Sequence, residues 1–170
     1  MKLKSKVKAN VPKFILDIIE KDSTHFNITK EGLCNEVLVK FSLKFRSNHC
    51  AEMLFEETES LQFSLNKDNQ KYYSELLKDL ENINESEVLR EIFSSYAILP
   101  AFMREIHLFR EKMAFLQSSL KEYRVLNIHT IEDGIIEGKI DTIFRNKEND
   151  YLMLGLKNKE YYLSQVRIIN

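Results

Sequence analysis

At 170 residues, with 44% hydrophobic and 30% charged side chains and a net charge of −1, the chain can bury a real core in one or two small domains. No apolar run approaches the ~20 residues of a membrane span, and the first residues lack the apolar stretch and cleavage site of a secretory signal, so a cytoplasmic protein is expected. The four glycines form no phosphate-binding loop, His25, His49, His107 and His129 are scattered without metal spacing, and Cys34 and Cys50 read as reduced thiols. With no nucleophile placed beside a base, the expectation is a protein that is not an enzyme and needs neither metal nor cofactor.

Charge is distributed unevenly. Residues 1–13 carry five lysines and no acid, whereas residues 52–91 hold eleven acids against four bases, a net of −7. A polyanion would meet the amino-terminal end. There, Lys2 to Asn10 alternate strictly: Lys2, Lys4, Lys6, Lys8 and Asn10 fall on one side, and Leu3, Ser5, Val7, Ala9 and Val11 on the other, the period of a strand with one buried face. Pro12 suits the first turn of a helix, which Phe14, Ile15, Ile18 and Ile19 continue to about His25. A second helix opens with Thr29 as N-cap and Glu31 in its first turn, and Leu33, Val37, Leu38, Phe41 and Phe45 form its apolar stripe.

This strand followed by two helices, residues 1–50, resembles the ribbon-helix-helix fold of small bacterial and phage DNA-binding regulators. The resemblance implies an antiparallel ribbon whose outward side chains enter the major groove. It marks Lys4, Lys6 and Lys8 as groove-facing, with Lys2 and Asn10 at the margins. It also implies a phosphate contact at the second helix N-terminus, at Thr29 and Lys30.

Residues 59–98 repeat the order strand, helix, helix. Leu61, Phe63 and Leu65 alternate with Gln62, Ser64 and Asn66; a helix follows with Tyr72, Tyr73, Leu76, Leu77 and Leu80, and another opens at Asn84 or Ser86. At a shift of 55 residues Leu33 superposes on Val88, Val37 on Ile92, Leu38 on Phe93 and Phe41 on Tyr96. If the repeat is real, its strand can pair with the first inside one chain, making Gln62, Ser64 and Asn66 the groove-facing set of the second strand. The alternative is a ribbon shared by two chains of a homodimer.

Beyond Pro100 the pattern predicts one long helix over 101–123, carrying Phe102, Ile106, Phe109, Met113 and Leu116, and then four strands separated by short polar turns: a small, strongly bent Sm-like or SH3-like barrel in an α+β chain. "DYLMLG" and "YYLSQVRIIN", with Pro100, Arg104 and Glu105 upstream, resemble the core of WYL domains. Tyr151 and Leu152 match, with Asp150 in place of the tryptophan; Leu163 and Ser164 match, with Gln165 in place of an arginine and Arg167 two positions later. In that family basic and aromatic barrel residues are implicated in binding nucleic acid or nucleotide-like ligands, and the resemblance implies Arg145, Tyr151, Tyr162 and Arg167 as the candidate constellation.

Ribbon-helix-helix units joined to WYL domains occur in bacterial regulators, including accessories of RNA-targeting CRISPR systems. The expected function is a DNA-binding transcriptional regulator that uses the lysine ribbon, with a ligand-sensing or RNA-binding barrel in residues 101–170. The alternative is an antitoxin-like or effector-accessory protein that binds single-stranded RNA or a protein partner.

Overall fold

The computed structural model describes residues 3–42, 57–80 and 84–169 and divides into two compact units, residues 1–99 and 100–170. It is a mixed α+β protein with six α-helices among the described residues. None of these is long and apolar enough to cross a membrane. Lys2, Phe45, His49 and Cys50 lie outside the described residues.

In the first unit, β1 (Lys6–Pro12), α1 (Lys13–Phe26) and α2 (Lys30–Phe41) are followed by β2 (Thr58–Ser64), α3 (Lys67–Asp79) and α4 (Glu85–Ala97). The strands form a two-stranded antiparallel ribbon within one chain, with Lys6 opposite Ser64, Lys8 opposite Gln62 and Asn10 opposite Ser60. Alternation decides which face is buried: Val7, Ala9, Val11, Leu61 and Phe63 point into the helices, and the residues between them point out. Covering by helices is what makes so short a ribbon viable, since an isolated two-stranded hairpin is marginal in water.

The eight residues matched at the shift of 55, from Leu33 and Val88 to Phe41 and Tyr96, are all buried, at 0–1% exposure. Phe41 meets Tyr96 edge-on with centroids 5.1 Å apart, and Phe63 of the ribbon meets Phe93 of α4 at 5.7 Å. One expectation fails at the chain start. The strand begins at Lys6 rather than Lys2, and Leu3 is 43% exposed, so it does not join the core. Pro12 closes β1 and occupies the N-cap position of α1, and its missing N–H costs nothing there.

A buried amide cluster ties α2 to the end of β2. Asn35 Nδ2 donates to the Glu31 and Ser64 carbonyls at 2.8 and 2.9 Å, and its Oδ1 accepts from the Asn66 N–H and from Asn69 Nδ2 at 3.0 and 2.9 Å. Every polar atom of the Asn35 side chain is thereby satisfied, as burial requires. Elsewhere in this core the Tyr96 hydroxyl donates to Asp22, also buried.

The second unit opens with two helices, α5 (Ala101–Leu108) and α6 (Arg110–Lys121), where the sequence predicts one. Phe109 leaves the helical region at φ −119° and ψ 45°. No proline or glycine marks the break; tertiary anchors on either side override a locally good helix sequence. On α5 the buried Glu105 carboxylate accepts the Leu152 N–H at 2.8 Å. On α6 Lys112 Nζ donates to the Leu163 and Val166 carbonyls at 2.6 Å each.

The strands β3 (Val125–Thr130), β4 (Gly134–Arg145), β5 (Leu152–Leu156), β6 (Lys159–Tyr162) and β7 (Val166–Ile168) form one antiparallel sheet in the order β6-β5-β4-β3-β7, curled into a half-barrel. The last predicted strand is split by a 3-10 turn at Leu163–Gln165, whose carbonyl Lys112 holds. Curvature comes from a register shift between Ile140 and Thr142 of β4. Gly155 lies opposite that bulge, where a Cβ would sit 2.8 Å from Thr142 Cγ2. The β3–β4 turn is held by Asp133, whose Oδ2 accepts from Lys159 Nζ at 2.5 Å and from the Tyr161 hydroxyl at 2.7 Å.

Candidate nucleic-acid interface

The outward face of the ribbon gathers most of the residues that the alternation predicts. Lys6, Lys8 and Asn10 project from β1 beside Ser64, Gln62 and Ser60 of β2, and a shallow depression of about 500 Å³ at one end is lined by Lys4, Lys6, Lys8, Gln62 and Ser64 together with Glu31 and Glu85. Cations therefore run along one strand, and neutral hydrogen-bonding groups along the other. Among the described residues no carboxylate lies within ion-pair distance of Lys6 or Lys8.

Lys4 differs. It precedes the strand and is ion-paired to Glu85, the first residue of α4, which also accepts the Tyr73 hydroxyl at 2.8 Å. Burial and this carboxylate push the Tyr73 phenol well above its ordinary value, so it remains a donor. Glu31, in the first turn of α2, accepts the Ser64 N–H at 2.9 Å beside β2. Both acids can be read from the sequence as favourable helix-start residues, but nothing local says that those helix starts adjoin the ribbon.

Thr29 is the N-cap of α2 as expected; its Oγ1 accepts the Gly32 N–H at 3.0 Å. Lys30 is exposed and pairs with Glu20 at 3.3 Å. That leaves the proposed phosphate contact with a competing carboxylate. Asn66 lies one step beyond Leu65, past the end of β2, and its side chain caps α3 by accepting the Asn69 N–H at 2.8 Å, so it is not an outward residue of the strand.

In the half-barrel the four candidate residues do not come together. Tyr151 is 2% exposed and packs inside. Arg145 ends β4, with its guanidinium carbon 5.1 Å from the centroid of the Phe102 ring and its Nε 3.4 Å from Asp150. Tyr162 is half-buried nearby, its hydroxyl accepting from Asn149 Nδ2 at 2.8 Å. Arg167 pairs with His129, which pairs with Ile135 at the opposite end of β4, about 33 Å of strand path from Arg145. Sequence reasoning missed Phe102 because its contact with Arg145 depends on how α5 packs on the sheet.

Burial pushes the Cys34 thiol up to about 12, so this buried residue is an inert core group. No group of three or more His, Cys, Asp or Glu residues is arranged to hold a metal among the described residues.

The fold has a solved counterpart. It is similar to the crystal structure of a CRISPR Cas-related protein, with a TM-score of 0.63 and 12% identity over 98% of this chain and 63% of that one. At that identity the likeness concerns the fold, and this chain spans less than two thirds of its counterpart's length. No protein-family model and no curated protein matches the chain. The ribbon-helix-helix and WYL resemblances therefore rest on the residues quoted for them.

Proposed function

We propose that this is a non-catalytic, cytoplasmic regulatory or accessory protein that binds nucleic acid, duplex DNA in the first place, through the outer face of the β1–β2 ribbon. The observation that carries the reading is the pair of rows Lys6/Ser64 and Lys8/Gln62, where cations with no acidic partner among the described residues stand beside neutral donors and acceptors on a surface narrow enough for a major groove. Two successive strand-helix-helix segments that share one ribbon support a tandem ribbon-helix-helix reading. The likeness to a CRISPR Cas-related protein supports an accessory role in such a system.

Duplex DNA and single-stranded RNA, each titrated against salt, test this. Each phosphate neutralised by a lysine contributes about 0.9 to the log–log slope on duplex DNA. Replacing Lys6 and Lys8 with alanine should weaken duplex binding and flatten that slope by up to about one unit per lost contact. Lys4→Ala should do less, because Glu85 already holds that charge. Affinity unchanged in the Lys6/Lys8 variant would sink the proposal.

A second reading is favoured by Arg145 stacked on Phe102 beside Tyr162: a WYL-like barrel end that holds a base or nucleotide of single-stranded RNA. It expects Arg145→Ala to lose RNA binding while duplex binding persists. Arg167→Ala, at the other end of β4, should leave RNA binding intact.

A further inference from the structure

We infer that the ribbon reads a non-palindromic duplex DNA site as a single chain in one orientation, with Lys6 and Lys8 facing bases or phosphates from β1 and Gln62 addressing a base edge from β2. This rests on the reading of the ribbon's outer face as the nucleic-acid surface. A ribbon built from two antiparallel copies of one strand would carry the same residues on both strands, each outward row being matched by its two-fold mate, and a dyad in the protein asks for a dyad in the DNA. Here the register forbids that symmetry. Lys6 faces Ser64 and Lys8 faces Gln62, so the two strands offer different chemistry at every outward row.

The charge across the ribbon is graded in the same sense. Lys6 and Lys8 run along β1, while beside β2 stands Glu31, which has no cation within ion-pair distance among the described residues and is held by the Ser64 N–H. A phosphate backbone following β1 is attracted, and one following β2 meets a carboxylate. Because the two backbones of a duplex are related by its own dyads, this gradient seats the DNA toward β1 without choosing its orientation, which is set by the bases that Lys6, Lys8 and Gln62 meet. The outward rows from Lys6 to Asn10 extend about 14 Å along the strand, some four base-pair steps. Within them the side-chain amide of Gln62 can pair in bidentate fashion with adenine N6 and N7, and the Lys8 ammonium can donate to guanine O6 and N7.

The test is site selection from a randomised duplex DNA pool with the full chain, followed by stoichiometry from sedimentation. The expected result is an enriched motif of about four strongly preferred base pairs without dyad symmetry, bound as a 1:1 complex. Gln62→Ala should relax preference at one position by roughly 5- to 150-fold. Glu31→Gln should tighten binding to all duplexes without changing the preferred sequence. A palindromic motif bound by two chains would overturn the inference while leaving the ribbon as the binding surface. Lysine-dependent binding indifferent to sequence would overturn base reading by Gln62. Absence of duplex binding, or binding indifferent to Lys6→Ala and Lys8→Ala together, would remove the surface itself and the inference with it.

Discussion

Both units are built on strands of period two, yet β1 and β5 treat that period differently. Along β1 exposed and buried residues alternate from Lys6 to Val11, so one face belongs to the core and the other to solvent. Along β5 all five residues from Leu152 to Leu156 are buried. A strand with two buried faces adds stability but presents nothing, whereas a strand with one buried face concentrates every second side chain on a shared outer surface. That explains why the ribbon collects its candidate residues and the half-barrel scatters them, with Tyr151 inside and Arg145 and Arg167 at opposite ends.

The largest expected effects come from cutting the two cores separately. Phe93→Ala removes the ring that packs on Phe63 beneath the ribbon and should cost about 3–5 kcal/mol, with duplex binding lost as the ribbon loses its support. Leu154→Ala in the half-barrel should cost about 2–5 kcal/mol but leave duplex affinity as it was. Chemical denaturation and DNA titration of both variants check this. Loss of duplex binding in Leu154→Ala would break the distinction between the units.

Gly155→Ala should cost about 1–3 kcal/mol, because the added methyl meets Thr142 Cγ2 at the bulge. Thr142→Ser removes that methyl, so the double variant should recover part of the loss. A purely additive double variant, read from the two melting temperatures, would show that the bulge does not set this contact.

Cys34 should resist alkylation at neutral pH in a Cys50→Ser background and react fully in denaturant, since burial holds its thiol near 12. Prompt native-state labelling would mean that α2 opens and that the ribbon's support is looser than its packing suggests.

The smallest effect belongs to Asp133. Hydrogen bonds from Lys159 and Tyr161 hold its carboxyl below the ordinary range. A lowered folded value contributes stability that is present above the unfolded pKa and is lost as pH falls through the folded one. Asp133→Asn should remove that part of the acid dependence, which denaturation curves taken between about pH 2 and 6 would reveal.

Much of this architecture was legible wherever one residue type carries one local job. Thr29 reads as a cap because a hydroxyl before an apolar stripe has a waiting N–H, and the repeat pairs from Leu33/Val88 to Phe41/Tyr96 read as core because their spacing is helical. The break at Phe109 was not legible. It is set by Glu105 and Lys112 reaching backbone groups about 50 residues away. Nor was the placement of Glu31 and Glu85 beside the ribbon, which depends on where two helix starts arrive in space. Lys4 read as groove-facing together with Lys6 and Lys8 but is tied to Glu85, whereas Lys6 and Lys8 kept the outward place that alternation assigned them.

The pairing of β1 with β2 also bears on when the ribbon can exist. Pro12 and Thr58 are 46 positions apart, and Lys6 and Ser64 are 58 apart. At a synthesis rate of about 5–20 residues per second, β1 waits several seconds on the ribosome before its partner strand is made. Closing so long a loop is costly until α1 and α2 offer a surface on which β2 can land. During that interval the lysines lie on an unpaired strand with no fixed spacing between them, so a nascent chain has the charge of the interface but not its geometry. If the ribbon binds nucleic acid as proposed, selective binding begins only when the second strand docks.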